Sequence, residues 1–122
     1  MPSPVFFEVC ADDVQRAVKF YQDVFGWEIE GAEEDNNYCM INTGDEEEGA
    51  ISGAVMERIA PSDSIINTFD VPNLNSFAKK VTESGGGVIT PKIALPGLGY
   101  VQYCQDTEGN TFGIIEYNES AS

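Results

Sequence analysis

The sequence predicts an α+β fold made of two βαβββ modules, and three observations lead there. The stretch from Val5 to Glu30 reads as strand, helix and strand in immediate succession. The same order returns at Ile65, so the chain carries an internal duplication with a period of roughly 60 residues. Finally, each half ends on a matching segment, GAISGAVME from Gly49 to Glu57 and GNTFGIIEY from Gly109 to Tyr117. Each is a turn glycine, three residues, a second glycine and an apolar run. Eight strands and two principal helices are expected, in one domain spanning 1–122 with modules at about 1–60 and 61–122.

Val5 to Val9 is the first strand, and Asp12-Asp13 can cap the helix after it. Val14, Ala17, Val18, Tyr21 and Phe25 fall at i, i+3, i+4, i+7 and i+11, the stripe of an amphipathic helix, and Gly26 closes it. Trp27 to Glu30 and Tyr38 to Ile41 form a hairpin across the turn-rich GAEEDNN. Asn42 to Gly44 and the DEEEG run make a second turn, and a fourth strand runs from Ala50 to about Ile59. Ala60-Pro61-Ser62-Asp63 is the one linker, too short to separate independent domains. In the second half Ile65 to Val71 is the strand and Asn73 the cap. Leu74, Phe77, Ala78 and Val81 are the helical stripe, which ends at Gly85 to Gly87. Val88 to Thr90 reads as a strand stopped by Pro91, Ala94 to Gly99 as a loop, and Gly99 to Cys104 as a strand. Asp106 to Asn110 is the turn that feeds the last strand.

The chain has 122 residues, 42% of them hydrophobic, with one Trp, five Tyr and seven Phe, which suits one compact core burying roughly 65% of the extended surface. Cys10, Cys39 and Cys104 are odd in number, widely spaced and without a CxxC pattern, so reduced strand thiols are expected rather than a disulfide framework. MPSPVFFEV has no basic region and no long apolar stretch, which points to a cytoplasmic protein. Twenty-one Asp and Glu against six Lys and Arg give a net charge of −15. Such a surface repels phosphate backbones and anionic lipids, which argues against nucleic-acid and membrane partners. No basic residue lies between Lys19 and Arg58, while Glu28, Glu30, Glu33, Glu34, Asp35 and Asp45 to Glu48 do. These acids are either solvated hairpin loops or a field that draws a cationic ligand inward.

The segments AVKFYQDVFGWEIE, ESGGGVITPK and GYVQYCQDTEGNTFGIIE resemble the vicinal oxygen chelate superfamily, which contains glyoxalase I, extradiol dioxygenases, fosfomycin resistance enzymes and bleomycin resistance proteins. The resemblance spans nearly the whole chain, in order and in both halves. It implies paired βαβββ modules forming cupped mixed sheets around a pocket, usually completed by module pairing within or between chains; with only two modules in the chain, a homodimer is expected. In the metalloenzymes of that family, the first and last strands of each module present His, Gln or Glu to a divalent metal. Matching FFEV to TFDV puts Phe6 and Thr68 at the first-strand positions, and Gly53 and Gly113 at the last-strand ones. Phe and Gly carry no donor, a lone Thr hydroxyl is a poor one, and the chain has no histidine, so no metal and no other cofactor are expected.

Without histidine, Ser-His-Asp and Cys-His arrangements are excluded, and GxSxG, P-loop and GxGxxG patterns are missing. Glu8 and Glu116 are candidate acids, and Cys10 and Cys104 candidate thiols; each is equally a strand residue of the framework. Alternation puts Glu8 on the side of Phe6, and Glu116 on the side opposite Gly113. One reading is therefore a metal-free protein of the bleomycin-resistance kind that binds a small molecule, cationic or aromatic, in the cup of its sheets. Its ligand-binding candidates are Phe6, Glu8, Gly53, Thr68, Tyr100 (or Tyr103) and Gly113, with no catalytic residue assigned. The alternative is a degenerate or metal-independent lyase or isomerase related to glyoxalase I, with Glu8 as base. A third is a dimeric interaction module whose pocket is filled by its own side chains.

Overall fold

The computed structural model describes residues 1–31 and 37–122, so the expected hairpin turn and the acids Glu33, Glu34 and Asp35 lie outside the described residues. It divides into two compact units, Phe6–Ile66 and Met1–Val5 with Asn67–Ser122. Residues 1–5 join the latter because Asp70 N donates to the Ser3 carbonyl at 3.1 Å and Ser3 N to Asp70 Oδ1 at 2.8 Å.

In the first unit the elements are β1 (Pro4–Ala11), α1 (Val14–Phe25), β2 (Glu28–Ile29), β3 (Tyr38–Asn42) and β4 (Gly53–Glu57), with a 3-10 turn at Glu46–Glu48. Asp13 caps α1 by accepting from Arg16 N, and Gly26 ends it in the left-handed conformation, φ 69°. The strands run in the order β2-β3-β4-β1. β1 lies parallel to β4, and β3 is antiparallel to both its neighbours. Because side chains alternate along a strand, this register assigns each residue a face. Val9, Ala11, Cys39, Ile41 and Val55 pack beneath Val14 and Val18 of α1. Glu8, Cys10, Tyr38, Met40, Ala54 and Met56 belong to the opposite face.

The second unit repeats the plan with β5 (Ile65–Asp70), α2 (Leu74–Glu83), β6 (Gly87–Val88), β7 (Ile93–Leu95), β8 (Gly99–Gln105) and β9 (Thr111–Tyr117). Its order is β5-β9-β8-β6, with β5 parallel to β9. Asn73 caps α2 through Ser76 N. The helix-covered core is Val71, Leu74, Cys104 and Ile114, joined by Phe77, Ala78, Val81, Tyr100 and Phe112. Thr68, Gly113, Tyr103, Val101 and Ile115 lie on the other face.

The expected order of elements holds, with one addition. Nine strands rather than eight occur among the described residues, because Ile93–Leu95 pairs with Gly99–Val101 where a loop was expected. The turn between them, with Gly97 at φ 75°, is tight enough for its flanks to form a ladder. All three cysteines are buried thiols outside any disulfide, as expected of strand residues.

Each parallel pair of first and last strands closes over a glycine. A Cβ at Gly113 would sit 2.6 Å from Thr68 Oγ1, and one at Gly53 would sit 2.5 Å from the Phe7 carbonyl. Thr68 is buried and β-branched, so it has little freedom to yield. Gly113→Ala is expected to cost about 1–3 kcal/mol of stability by overpacking, read by urea unfolding. Gly87→Ala, where nothing lies within 4 Å, should stay within about 0.5 kcal/mol. Equal costs at the two positions would contradict this packing.

Candidate functional site

On the face of the first unit away from α1, a carboxyl group is deeply buried. Glu8 is 1% exposed, and the Tyr38 hydroxyl donates to its Oε2 at 2.6 Å. A carboxylate taken out of water needs such donors, and a short O–H···O bond to a charged acceptor is among the stronger ones available. Tyr38 belongs to β3, with β4 between it and β1. Ala54 stands beside Glu8 in the register and projects only a methyl, which leaves room for the Tyr38 ring to reach across. Tyr38 is itself 44% exposed and Met40 on the same strand 42%, so the carboxylate lies under side chains that a solute can touch.

Cys10 comes after Glu8 on the same face. Burial pushes its thiol up to about 11, and the carboxylates of Asp63 and Glu8 add to the shift while Arg58 opposes it. Arg58 is engaged elsewhere: its Nε donates to Asp12 Oδ1 at 2.9 Å and its Nη1 to the Asp63 carbonyl. The Nε contact holds Asp12 below the usual carboxylate range. At neutral pH Cys10 is therefore a protonated, weakly nucleophilic wall of the site.

The other predicted positions divide by face and by unit. Phe6, half-buried, shares its side of β1 with Glu8. Gly53 does not: it is the register partner of Phe7, on the α1 side, and Ala54 takes the place beside Glu8. In the second unit Thr68 and Gly113 are register partners on the face away from α2. Tyr100 is on the α2 side, packed against that core, and Lys92 Nζ sits 4.4 Å from its ring centroid. Tyr103, the partner of Gly113, is the tyrosine on the Thr68 face. Glu116 is on the helix side as expected, where it accepts from Leu74 N at 2.7 Å and so serves as a second cap for α2.

Helix caps also correct the match between halves. Glu8 precedes its cap Asp13 by five residues and Thr68 precedes Asn73 by five, so these two are equivalent; Phe6 corresponds to Ile66. The likeness of FFEV to TFDV is thus shifted by two residues, one full strand repeat. Tyr38, Met40, Ala54 and Ile66 were not singled out from the sequence. Alternation in YCMIN puts Tyr38 and Met40 on one face, but nothing local shows that this face is Glu8's.

With either register, the first- and last-strand positions offer no set of metal donors. Phe6, Ile66, Ala54, Gly53 and Gly113 have none, Thr68 has a hydroxyl and Glu8 one carboxylate. Among the described residues no group of three His, Cys, Asp or Glu side chains comes together. The residues present do not fit the family's metal. Nor is any helix of the described residues long and apolar enough to cross a membrane.

Comparison with known proteins agrees with this architecture. Residues 4–44 match a family model described as bleomycin resistance protein-like N-terminal. A glyoxylase-like domain-containing protein of Didymella fabae is 32% identical over 115 residues, covering 88% of each chain. Among solved structures, a Streptomyces coelicolor methylmalonyl-CoA epimerase variant in complex with 2-nitronate-propionyl-CoA superimposes with TM-score 0.64 and 14% identity, covering 98% of this chain and 97% of that one. A glyoxalase/bleomycin resistance protein/dioxygenase superfamily member from Vibrio splendidus 12B01 gives TM-score 0.64 at 13% identity, covering 97% and 100%. At these identities the structural likeness concerns the fold.

The Cys10 environment makes stability depend on alkaline pH. Below about 8.5 the thiol is protonated folded or unfolded; above it the unfolded chain loses the proton first, so stability falls until the folded thiol titrates at about 11. Urea midpoints measured from pH 8 to 11 should decline, with Cys39 and Cys104, also raised by burial, adding to the fall, and Cys10→Ala should make that decline shallower. An unchanged slope in the variant would contradict the assignment.

Proposed function

We propose a function from one premise: the chain belongs to the glyoxalase and bleomycin resistance (vicinal oxygen chelate) superfamily, and within it acts as a metal-free binding protein for a cationic small molecule. The observation that carries the reading is the buried Glu8 carboxylate with its Tyr38 donor. An ammonium or amidinium group is the kind of partner that offsets the charge of a buried carboxylate. Phe6, Tyr38 and Met40 supply polarizable apolar surface on the same face. A net charge of −15 steers cations toward the molecule. The lack of a donor set at the family's metal positions supports binding over metal chemistry.

A second reading uses the same carboxylate. Held by a tyrosine hydroxyl in a nearly water-free position, Glu8 could take a proton from carbon beside a carbonyl, as in a metal-independent lyase or isomerase. Binding is preferred because, among the described residues, no second carboxylate or amine of β1 or β4 stands beside Glu8 on that face; the β1 and β4 residues next to it there are Cys10, protonated at neutral pH, and the apolar Phe6, Ala54 and Met56. Pairing between chains, as a homodimer, is part of the proposal, since edge strands such as β2 otherwise expose unpaired backbone groups.

Calorimetric titration with aromatic amines and amidines, in ~0.15 M salt so that screening is physiological, tests the first reading. Binding should exceed that of uncharged isosteres, and Glu8→Gln should weaken it at least tenfold, about 1.4 kcal/mol. Tyr38→Phe should weaken it less. Preference for neutral or anionic compounds, or indifference to Glu8→Gln, would sink it. The second reading requires instead that the protein exchange carbonyl α-protons with deuterium in heavy water and that Glu8→Gln abolish the exchange with little change in affinity.

A further inference from the structure

A second cavity in the first unit, of about 290 Å³, opens where α1 passes into β2. It is lined by Phe25, Gly26, Trp27, Glu28, Asn42, Thr43 and Gly44. Gly26 builds it: in the left-handed conformation it reverses the chain, which sets the residues on either side of it next to each other. The Phe25 and Trp27 rings lie 5.1 Å apart at 25°, and Tyr21 backs the indole at 5.3 Å and 2°. A stacked aromatic cluster of this kind is ordinarily core, yet Phe25 is 58% exposed. The polar lining is largely spoken for. Asn42 Oδ1 accepts from Gly44 N at 2.9 Å, and Thr43 Oγ1 donates to the Ile51 carbonyl at 2.8 Å.

Among the described residues, Glu28 is the one charged residue of the lining. It takes part in neither ion pair found among the described residues, Lys19–Asp23 and Arg58–Asp12. No basic residue lies in sequence between Lys19 and Arg58, and the acidic turn Glu46–Glu48 comes two residues after Gly44. Two aromatic side chains beside a carboxylate, with no lysine or arginine in the lining, make an environment that holds quaternary or N-methylated ammonium groups. We infer that this cavity is a second ligand site, distinct from the Glu8 face, selective for a compact alkylammonium group stacked on Phe25 and Trp27 and paired with Glu28. None of Glu8, Cys10 or Tyr38 lines it. Its size suits a headgroup rather than a large organic ligand.

Trp27 is the only tryptophan of the chain, so its emission reports this cavity without a label. The native protein is titrated with choline and with the alcohol in which a tert-butyl group replaces trimethylammonium. Choline should change Trp27 emission saturably, and the uncharged alcohol should bind at least fivefold more weakly. Glu28→Gln and Phe25→Ala should each weaken choline about fivefold; Glu28 is an exposed strand residue, so its substitution leaves the core intact. Glu8→Gln should leave the titration unchanged, which separates failure here from failure at the Glu8 face. Equal binding of the two probes, no saturable response, or sensitivity to Glu8→Gln instead of Glu28→Gln would each overturn the inference.

Discussion

The parallel pairing of first and last strand in each half constrains everything else in the fold. β1 against β4, and β5 against β9, can be joined only by a crossover, and the amphipathic helix plus the intervening antiparallel strands provide it. Once α1 and α2 cover one face, every residue of those strands is assigned by parity either to a helix-covered core or to the opposite face. The close approach also dictates composition. Gly53 faces the Phe7 carbonyl and Gly113 the Thr68 hydroxyl at distances that leave no space for a Cβ.

The same parity isolates Glu8. Its neighbours along β1 on that side are Phe6 and Cys10, on β4 they are Ala54 and Met56, and a polar partner, Tyr38, arrives from β3. An apolar surround raises the worth of each hydrogen bond to that carboxyl group, the one from Tyr38 among them. Thr68 holds the equivalent place in the second unit, with a neutral hydroxyl over Gly113. The duplicated framework therefore carries unlike chemistry in its two halves. Glu116 illustrates the converse: a glutamate near the end of a strand, on the helix side, is consumed in capping α2.

Much of this was legible in the chain by itself. Period-2 and period-3.6 patterns, the caps Asp13 and Asn73, the closing Gly26 and the repeated glycine-spaced endings determined the order of elements, the duplication and the helix faces, because each depends on residues near in sequence. Placing Glu8 with Phe6, and Glu116 on the other side from Gly113, also comes from alternation alone. Only the tertiary structure decided register. It moved the position beside Glu8 from Gly53 to Ala54, matched Glu8 rather than Phe6 to Thr68, and sent Tyr100 to the core while Tyr103 took the open face. A slip of one residue in a strand exchanges its faces, and no local property of FFEV, GAVME or GYVQYC reports which carbonyl a distant amide will meet. Tyr38 reaches Glu8 across thirty residues of sequence and an intervening strand, so the site's central hydrogen bond exists only because packing α1 on one side of the sheet leaves both side chains on the other.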